Sequence, residues 1–111
     1  MKYCIGIDLG GTNIAVGVVN EKYEIIARAN LKTNAPRPAE EIADDMAKAT
    51  HMAIENAGLT IEDIEWIGIG TPGAVNNETG EIIFAGNLDF HDINMKKMME
   101  ERLHLTTYVE N

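Results

Sequence analysis

Ile5-Gly6-Ile7-Asp8-Leu9-Gly10-Gly11-Thr12-Asn13-Ile14-Ala15-Val16-Gly17-Val18-Val19 is the stretch that decides the fold. Two runs rich in Ile and Val flank Leu9-Gly10-Gly11-Thr12, the pattern of a β-hairpin closed by a glycine turn. One carboxylate, Asp8, stands at the end of the first run. Gly10 and Gly11 carry no Cβ, so their backbone N–H groups can approach an anion closely. Thr12 adds a hydroxyl and Asn13 an amide. A carboxylate beside such a cradle suits a phosphate chain with its divalent cation. The carboxylate takes the cation or one of its waters, and the amides take phosphate oxygens. A plain hairpin whose glycines serve only the turn fits the same residues, and a short glycine motif alone does not choose between the two.

Outward from the hairpin (residues 3–9 and 12–20), Asn20-Glu21-Lys22 is a polar turn and residues 23–31 resume a strand pattern. Ile25, Ala27 and Ala29 are expected on one face, giving a three-stranded antiparallel meander. Thr33 to Pro38 breaks the pattern, and Pro38 suits the first turn of a helix. Residues 39–57 then carry a 3.6 period, with Ile42, Met46, Ala49, Ala53 and Ala57 on one face, widened by Ala43 and Ile54. Glu40, Glu41, Asp44 and Asp45 lie in the first turns, where the helix dipole favours anions. Gly58 is a natural C-terminal cap. Thr60 to Asp63 is a short connector, and residues 64–69 form another strand.

That strand runs into Gly68-Ile69-Gly70-Thr71-Pro72-Gly73, a literal match to the dinucleotide fingerprint G-x-G-x-x-G. The fingerprint requires a helix to open there. Here Pro72 disfavours a helical Thr71, and Asn76-Asn77-Glu78-Thr79-Gly80 separates two apolar runs. A second hairpin is expected instead. Residues 85–90 read as an irregular loop. Asp92 reads as an N-cap, with a helix over 93–103 turning Ile93, Met98, Met99 and Leu103 inward. Residues 106–109 are β-prone. The order β-β-β-α-β-hairpin-α-β argues for an α/β mixed sheet, three antiparallel strands followed by α–β units, with helices on its faces.

The 111 residues suit one domain, and 45% hydrophobic with 24% charged residues is the composition of a chain with a packed core. A net charge of −9 with no Lys/Arg stripe argues against a nucleic-acid partner. The single cysteine, Cys4, lies in an apolar run, so there is no disulfide framework and a buried structural thiol is expected. Cys4, His51, His91 and His104 lack metal-ligand spacing. No signal peptide opens the sequence and no apolar run approaches about 18 residues, so a cytoplasmic setting away from membranes is expected.

Four segments, in order and spacing, resemble one family. Ile7-Asp8-Leu9-Gly10-Gly11-Thr12 resembles the first phosphate motif of the actin-like ATPases, the fold of sugar kinases, actin and Hsp70 chaperones. The strand–helix order resembles the ribonuclease H-like half of that fold. Gly68 to Val75 and Ala85-Gly86-Asn87-Leu88 resemble the sugar-site segments of the ROK family (repressors, open reading frames and kinases). Val109-Glu110-Asn111 resembles the start of that family's Asn-Asp-Ala-Asn segment. Among its members, glucokinases are the nearest in pattern.

The resemblance implies ATP-dependent phosphorylation of a hexose with Mg²⁺. It implies that Asp8 positions Mg²⁺, directly or through water, and that Gly10, Gly11, Thr12 and Asn13 lie at the nucleotide phosphates. It places Gly73 against the sugar, with Asn87 and Asn111 hydrogen-bonding sugar hydroxyls. Read without the family, Asn87 is a loop turn residue and Asn111 a chain-end residue. The family's catalytic base comes directly after the Asn that Asn111 resembles, so none of the 111 residues is assigned that role, and Asp89 and Asp92 have no such part in the family. Residues 1–111 are expected to form the amino-terminal lobe of a two-lobed kinase. Such a lobe is expected to be inactive alone and to self-associate through apolar surface. Any zinc site belongs to the second lobe. The competing reading is the sugar-sensing lobe of a ROK-type transcriptional regulator. The start at Met1, with no basic helix before the first strand, favours the kinase.

Overall fold

A computed structural model describes residues 2–111. The opening hairpin consists of β1 (Tyr3–Leu9) and β2 (Asn13–Val19), paired antiparallel from Cys4↔Val19 to Leu9↔Ile14. β3 (Ile25–Lys32) pairs antiparallel with β2. Helix α1 (Ala39–Asn56) leads to β4 (Ile64–Gly70), which lies parallel to β1. The chain then forms a second, three-stranded antiparallel sheet from β5 (Ala74–Asn76), β6 (Glu81–Ala85) and β7 (Phe90–Asn94). Helix α2 (Met95–Leu103) returns it to β8 (Thr106–Glu110), parallel to β4. The main sheet has the order β3-β2-β1-β4-β8. The expected mixed sheet is formed, and the glycine string after β4 opens a hairpin rather than a helix.

Strand alternation sets the core. Ile5, Ile7, Leu9, Ile14, Val16, Val18, Ile67, Ile69 and Val109 all point to one face and are buried. The expected stripe of α1 packs there through Ile42, Ala43, Met46, Ala49, Ala53 and Ile54. Pro38 stands one residue ahead of α1, and its carbonyl accepts from Glu41 and Ile42 N–H. Gly58, at φ 72°, closes α1 as expected: its N–H donates to Glu55 O and the Leu59 N–H to Ile54 O, a Schellman pair.

Three expectations are corrected. The sequence pattern suggests helices on both faces, but α1 and α2 pack on the same one. Cys4, Gly6, Asp8, Ala15, Gly17, Trp66, Gly68, Gly70, Tyr108 and Glu110 lie on the other, which is open and leaves Cys4 half-buried rather than buried. The Cys4 thiol is pushed up from its ordinary pKa by burial and by the Glu65 carboxylate, so it stays neutral. Next, Ile25 does not share a face with Ala27 and Ala29. A bulge between Val18 and Val19 puts it on the open face over Gly17, half-exposed, because one extra residue flips the alternation.

The third correction concerns residues 85–103. Gly86–Leu88 is a 3-10 turn, and residues 90–94 form β7. Ile93 pairs with Ile82 across the small sheet instead of lying on a helix. The cap of α2 is Asn94, whose Oδ1 accepts from Lys97 N–H at 3.0 Å, and not Asp92, which sits at φ 52° within the strand. Both residues have cap chemistry, and the pairing of β7 with β6 selects the later one. With the helix starting at Met95, that residue is fully buried beside Met99 and Leu103, while Met98 is half-buried.

Candidate phosphate and sugar site

β1, β4 and β8 run parallel and end at the same edge of the sheet. Their registers place Asp8 opposite Gly70, and Gly70 opposite Glu110. Strand spacing puts the Asp8 and Glu110 Cα atoms roughly 10 Å apart. Each strand runs out into candidate site residues: Gly10 to Thr12 after β1, Thr71 to Gly73 after β4, Asn111 after β8. Ligands of open α/β sheets bind outside the carboxyl ends of the strands. The sheet register therefore gathers segments that are far apart in sequence.

The glycine turn is held from behind. The Gly10 N–H donates to Asn13 O at 2.9 Å, so this amide is engaged within the turn and Gly10 serves the cradle by its lack of bulk. The Thr33 hydroxyl donates to Gly10 O at 2.7 Å, and the Thr33 N–H to Thr12 O at 2.9 Å. Thr33 is fully buried. Arg37 Nε in turn donates to Thr33 O at 2.8 Å and its other end pairs with Asp45 on α1. Sequence reasoning missed Thr33. It lies 23 residues from Gly10, in a stretch whose only visible trait is that it interrupts a strand, so no local spacing marks it.

Asp8 projects to the open face. Among the described residues its carboxylate has no ion pair and no hydrogen bond. It lines a trough of about 610 Å³ together with Gly6, Arg28, Asn30 and Gly70. A single unpaired carboxylate next to a glycine turn is the kind of group that Mg²⁺ uses, since it binds through one or two carboxylates, waters and substrate phosphates. No group of three or more His, Cys, Asp or Glu is placed to hold a metal among the described residues, so a ligand cage of the zinc type is not formed by them.

The small sheet delivers the remaining candidates. A Cβ built on Gly11 would lie 3.1 Å from Asn87 Cβ, so the glycine turn and the 86–88 turn are in direct contact. Gly73, at φ 98°, lies so close to β6 that a Cβ would fall 2.0 Å from Phe84 O. The Asn111 side-chain amide donates to Gly73 O at 3.2 Å. The Thr71 N–H donates to Glu110 O at 2.9 Å, tying the loop after β4 to the end of β8. Gly11, Asn87, Gly73 and Asn111 thus form one continuous ridge, linked through residues 84–87. Asn87 and Asn111 are exposed, with polar atoms available to a ligand. Asp89, in αL conformation, lies 3.6 Å from His91 and borders a separate depression beside Pro36 and Arg37. Among the described residues, no helix is long and apolar enough to cross a membrane.

The same chain is recognisable in known proteins. It is 37% identical to a glucokinase of Streptomyces coelicolor over 111 residues, all of this chain and 33% of that protein. It is 36% identical to a putative xylose repressor of Caldicellulosiruptor sp. over 107 residues, 96% of this chain and 27% of that protein. The crystal structure of a ROK family glucokinase from Streptomyces griseus, in complex with glucose and AMPPNP, superposes with a TM-score of 0.87 at 38% identity. The superposition covers 98% of this chain and 33% of that one. The chain spans 33% and 27% of the length of these two relatives. Its fold is the ribonuclease H-like domain of the actin-like ATPases, as the order of strands and helices implied. The ROK family model matches residues 4–111, and the chain belongs to the ROK family.

Proposed function

We propose that the whole protein transfers the terminal phosphoryl group of ATP to a hydroxyl of a hexose, and that residues 1–111 are its amino-terminal lobe. The observation that carries this reading is the contact between Gly11 and Asn87, which seats a phosphate cradle against a sugar-type loop. Phosphoryl transfer is chiefly positioning plus charge stabilisation, so a site that abuts the two ligands supplies much of what the reaction needs. The glucokinase relatives and the glucose- and AMPPNP-bound neighbour support the same assignment.

In this reading Asp8 holds Mg²⁺, directly or through water, and the cation offsets charge on the phosphate oxygens. Gly11 and Thr12 approach the phosphates, with Asn13 at the rim. Asn87 and Asn111 hydrogen-bond sugar hydroxyls, and paired amides of this kind reject molecules that lack those hydroxyls. Gly73 orients Asn111 through its carbonyl. The proton acceptor for the attacking hydroxyl is not assigned to any of the 111 residues, so the isolated lobe is proposed to lack turnover.

The second reading, a sugar-sensing regulator lobe, draws on the xylose repressor relative. A coupled assay of ADP release by the whole protein with glucose, fructose and N-acetylmannosamine separates the two. Sugar-dependent ATP consumption is the expected result. Sugar binding by calorimetry with no turnover on any hexose would favour the regulator. Sugar-dependent ATP consumption by residues 1–111 alone would overturn the division of roles.

A further inference from the structure

We infer that Gly11, a residue of the phosphate turn, acts on the sugar: its missing side chain sets the position of Asn87. This rests on the reading of Asn87 as a sugar ligand. A Cβ at position 11 would meet three atoms of Asn87 within 4 Å: Cβ at 3.1, the backbone O at 3.7 and Cγ at 3.8 Å. The first two belong to the frame of residue 87 rather than to the mobile end of its amide, so a rotamer change does not relieve the contact. The frame itself is fixed. The turn over residues 86–88 is anchored by Ala85 just before it and by its own last residue Leu88, both fully buried, and by Phe90 two residues on. On the other side, the glycine turn is pinned by Thr33 through Gly10 O and Thr12 O. Neither wall has an easy way to retreat.

The backbone at Gly11 lies outside the positive-φ region, so conformation alone does not demand glycine there. Space does. By contrast, a Cβ on Gly10 would meet only the backbone of Asn13 within its own turn. The two glycines of one motif therefore have separate tasks: Gly10 shapes the turn, and Gly11 lets the sugar loop close onto it. Gly11 is a positioning residue for the sugar, not a phosphate ligand only.

The test uses the whole protein and three variants, Gly11→Ala, Asn87→Gly and the double variant. In Gly11→Ala the hexose Kd by calorimetry is expected to weaken about tenfold, since displacing a positioned group by a fraction of an ångström is enough for losses of this order. The Kd for a fluorescent ATP analogue, measured without sugar, reports the separate phosphate role of Gly11, in which Asn87 has no part, and is expected to be the same in Gly11→Ala and in Gly11→Ala/Asn87→Gly. The double variant Gly11→Ala/Asn87→Gly removes the opposing Cβ, and so remains informative if the single variant fails to fold. Its hexose Kd is expected to equal that of Asn87→Gly alone, the signature of two residues coupled by one contact. Weaker nucleotide binding with unchanged hexose binding in Gly11→Ala, or additive losses for hexose in the double variant, overturns the inference. If the wild-type protein binds hexose but never consumes ATP, the kinase reading falls while the Kd comparison still decides the role of Gly11. If it binds no hexose, both fall.

Discussion

The Nδ2 group of Asn111 donates to the carbonyl of Gly73 across 3.2 Å, joining the end of the last strand to the loop after β4. That bond fixes the orientation of the amide. One of its two N–H donors is held by the protein, and Oδ1 is left free to accept. In the proposed sugar site, Asn111 therefore accepts a hydroxyl proton through Oδ1 and keeps its second N–H for a neighbouring hydroxyl oxygen. Asn111→Asp sets a carboxylate oxygen against the Gly73 carbonyl and removes the tether. Hexose binding by the whole protein is expected to weaken about tenfold or more, with circular dichroism unchanged because the residue is exposed. Calorimetry showing wild-type affinity would remove Asn111 from the site.

Gly73→Ala is expected to be far more damaging. The residue combines φ 98° with a Cβ position 2.0 Å from Phe84 O and 2.9 Å from Ala85 Cα. Both obstacles are backbone, and Ala85 is fully buried, so β6 has to move. A loss of about 3 kcal/mol or more in urea denaturation is expected, within the range of strain and overpacking combined. A loss below about 1 kcal/mol would mean that the hairpin is looser than its packing implies.

Thr33→Val tests the support behind the glycine turn. It keeps the shape and removes the donor to Gly10 O. The Gly10 carbonyl is part-buried, so leaving it without that partner is expected to cost about 1 kcal/mol, the low end of the range for unmade hydrogen bonds. The loss is expected to be local as well as global: amide exchange in residues 10–13 should accelerate more than in β1 or β2. Uniform exchange across the hairpin would show that the turn does not depend on Thr33.

Glu100 carries a pH signature. Its carboxylate accepts the Thr107 N–H at 3.0 Å and Lys96 Nζ at 3.0 Å, joining α2 to β8. The backbone bond first, and Lys96 second, hold its pKa below the ordinary value of 4.5. A depressed carboxylate stabilises the fold above its ordinary pKa and loses that contribution as pH falls through it. Glu100→Gln is therefore expected to cost about 1 kcal/mol near neutrality, after discounting a charge-assisted bond for partial exposure. The gap between wild type and variant should narrow from about pH 4.5 downward. A gap independent of pH would assign the effect to packing.

Much of the fold is legible in the sequence, and the rest is hidden for physical reasons. Residues 5–19 and 39–58 carry strong periodicity and unambiguous turn or cap residues, so their strands and helix are readable from local chemistry. The loop after β4 is readable because Pro72 excludes the helix that the glycine string otherwise suggests. β7 is not, because Phe90-His91-Asp92-Ile93-Asn94 has no alternation of its own and becomes a strand by pairing with β6. Ile25 is misplaced by its sequence pattern because a bulge is a property of two strands together. Candidate site residues are found through their resemblance to a family. Thr33, which holds them, has only a long-range partner and no motif.

The open face of the sheet carries the last prediction. Trp66 at 41%, Ile25 at 50% and Tyr108 at 53% exposure stand on it. Gly6, Gly17, Gly68 and Gly70 leave a shallow floor between them, and Trp66 packs edge-on against Tyr108 with ring centroids 5.8 Å apart. A contiguous apolar surface of this kind favours association in water. Residues 1–111 on their own are expected to self-associate at micromolar concentration, measured by sedimentation equilibrium, and Trp66→Lys/Ile25→Lys is expected to return them to monomers. The main sheet also has two unpaired edges, β3 and β8, and edges can pair strand to strand. Trp66→Lys alone separates the two routes, because β4 is interior to the sheet, whereas a lysine at Ile25 on β3 also discourages pairing at that edge. Association that survives both lysines lies at an edge and not on the face. A monomer mass for the unsubstituted chain at every concentration rules out both.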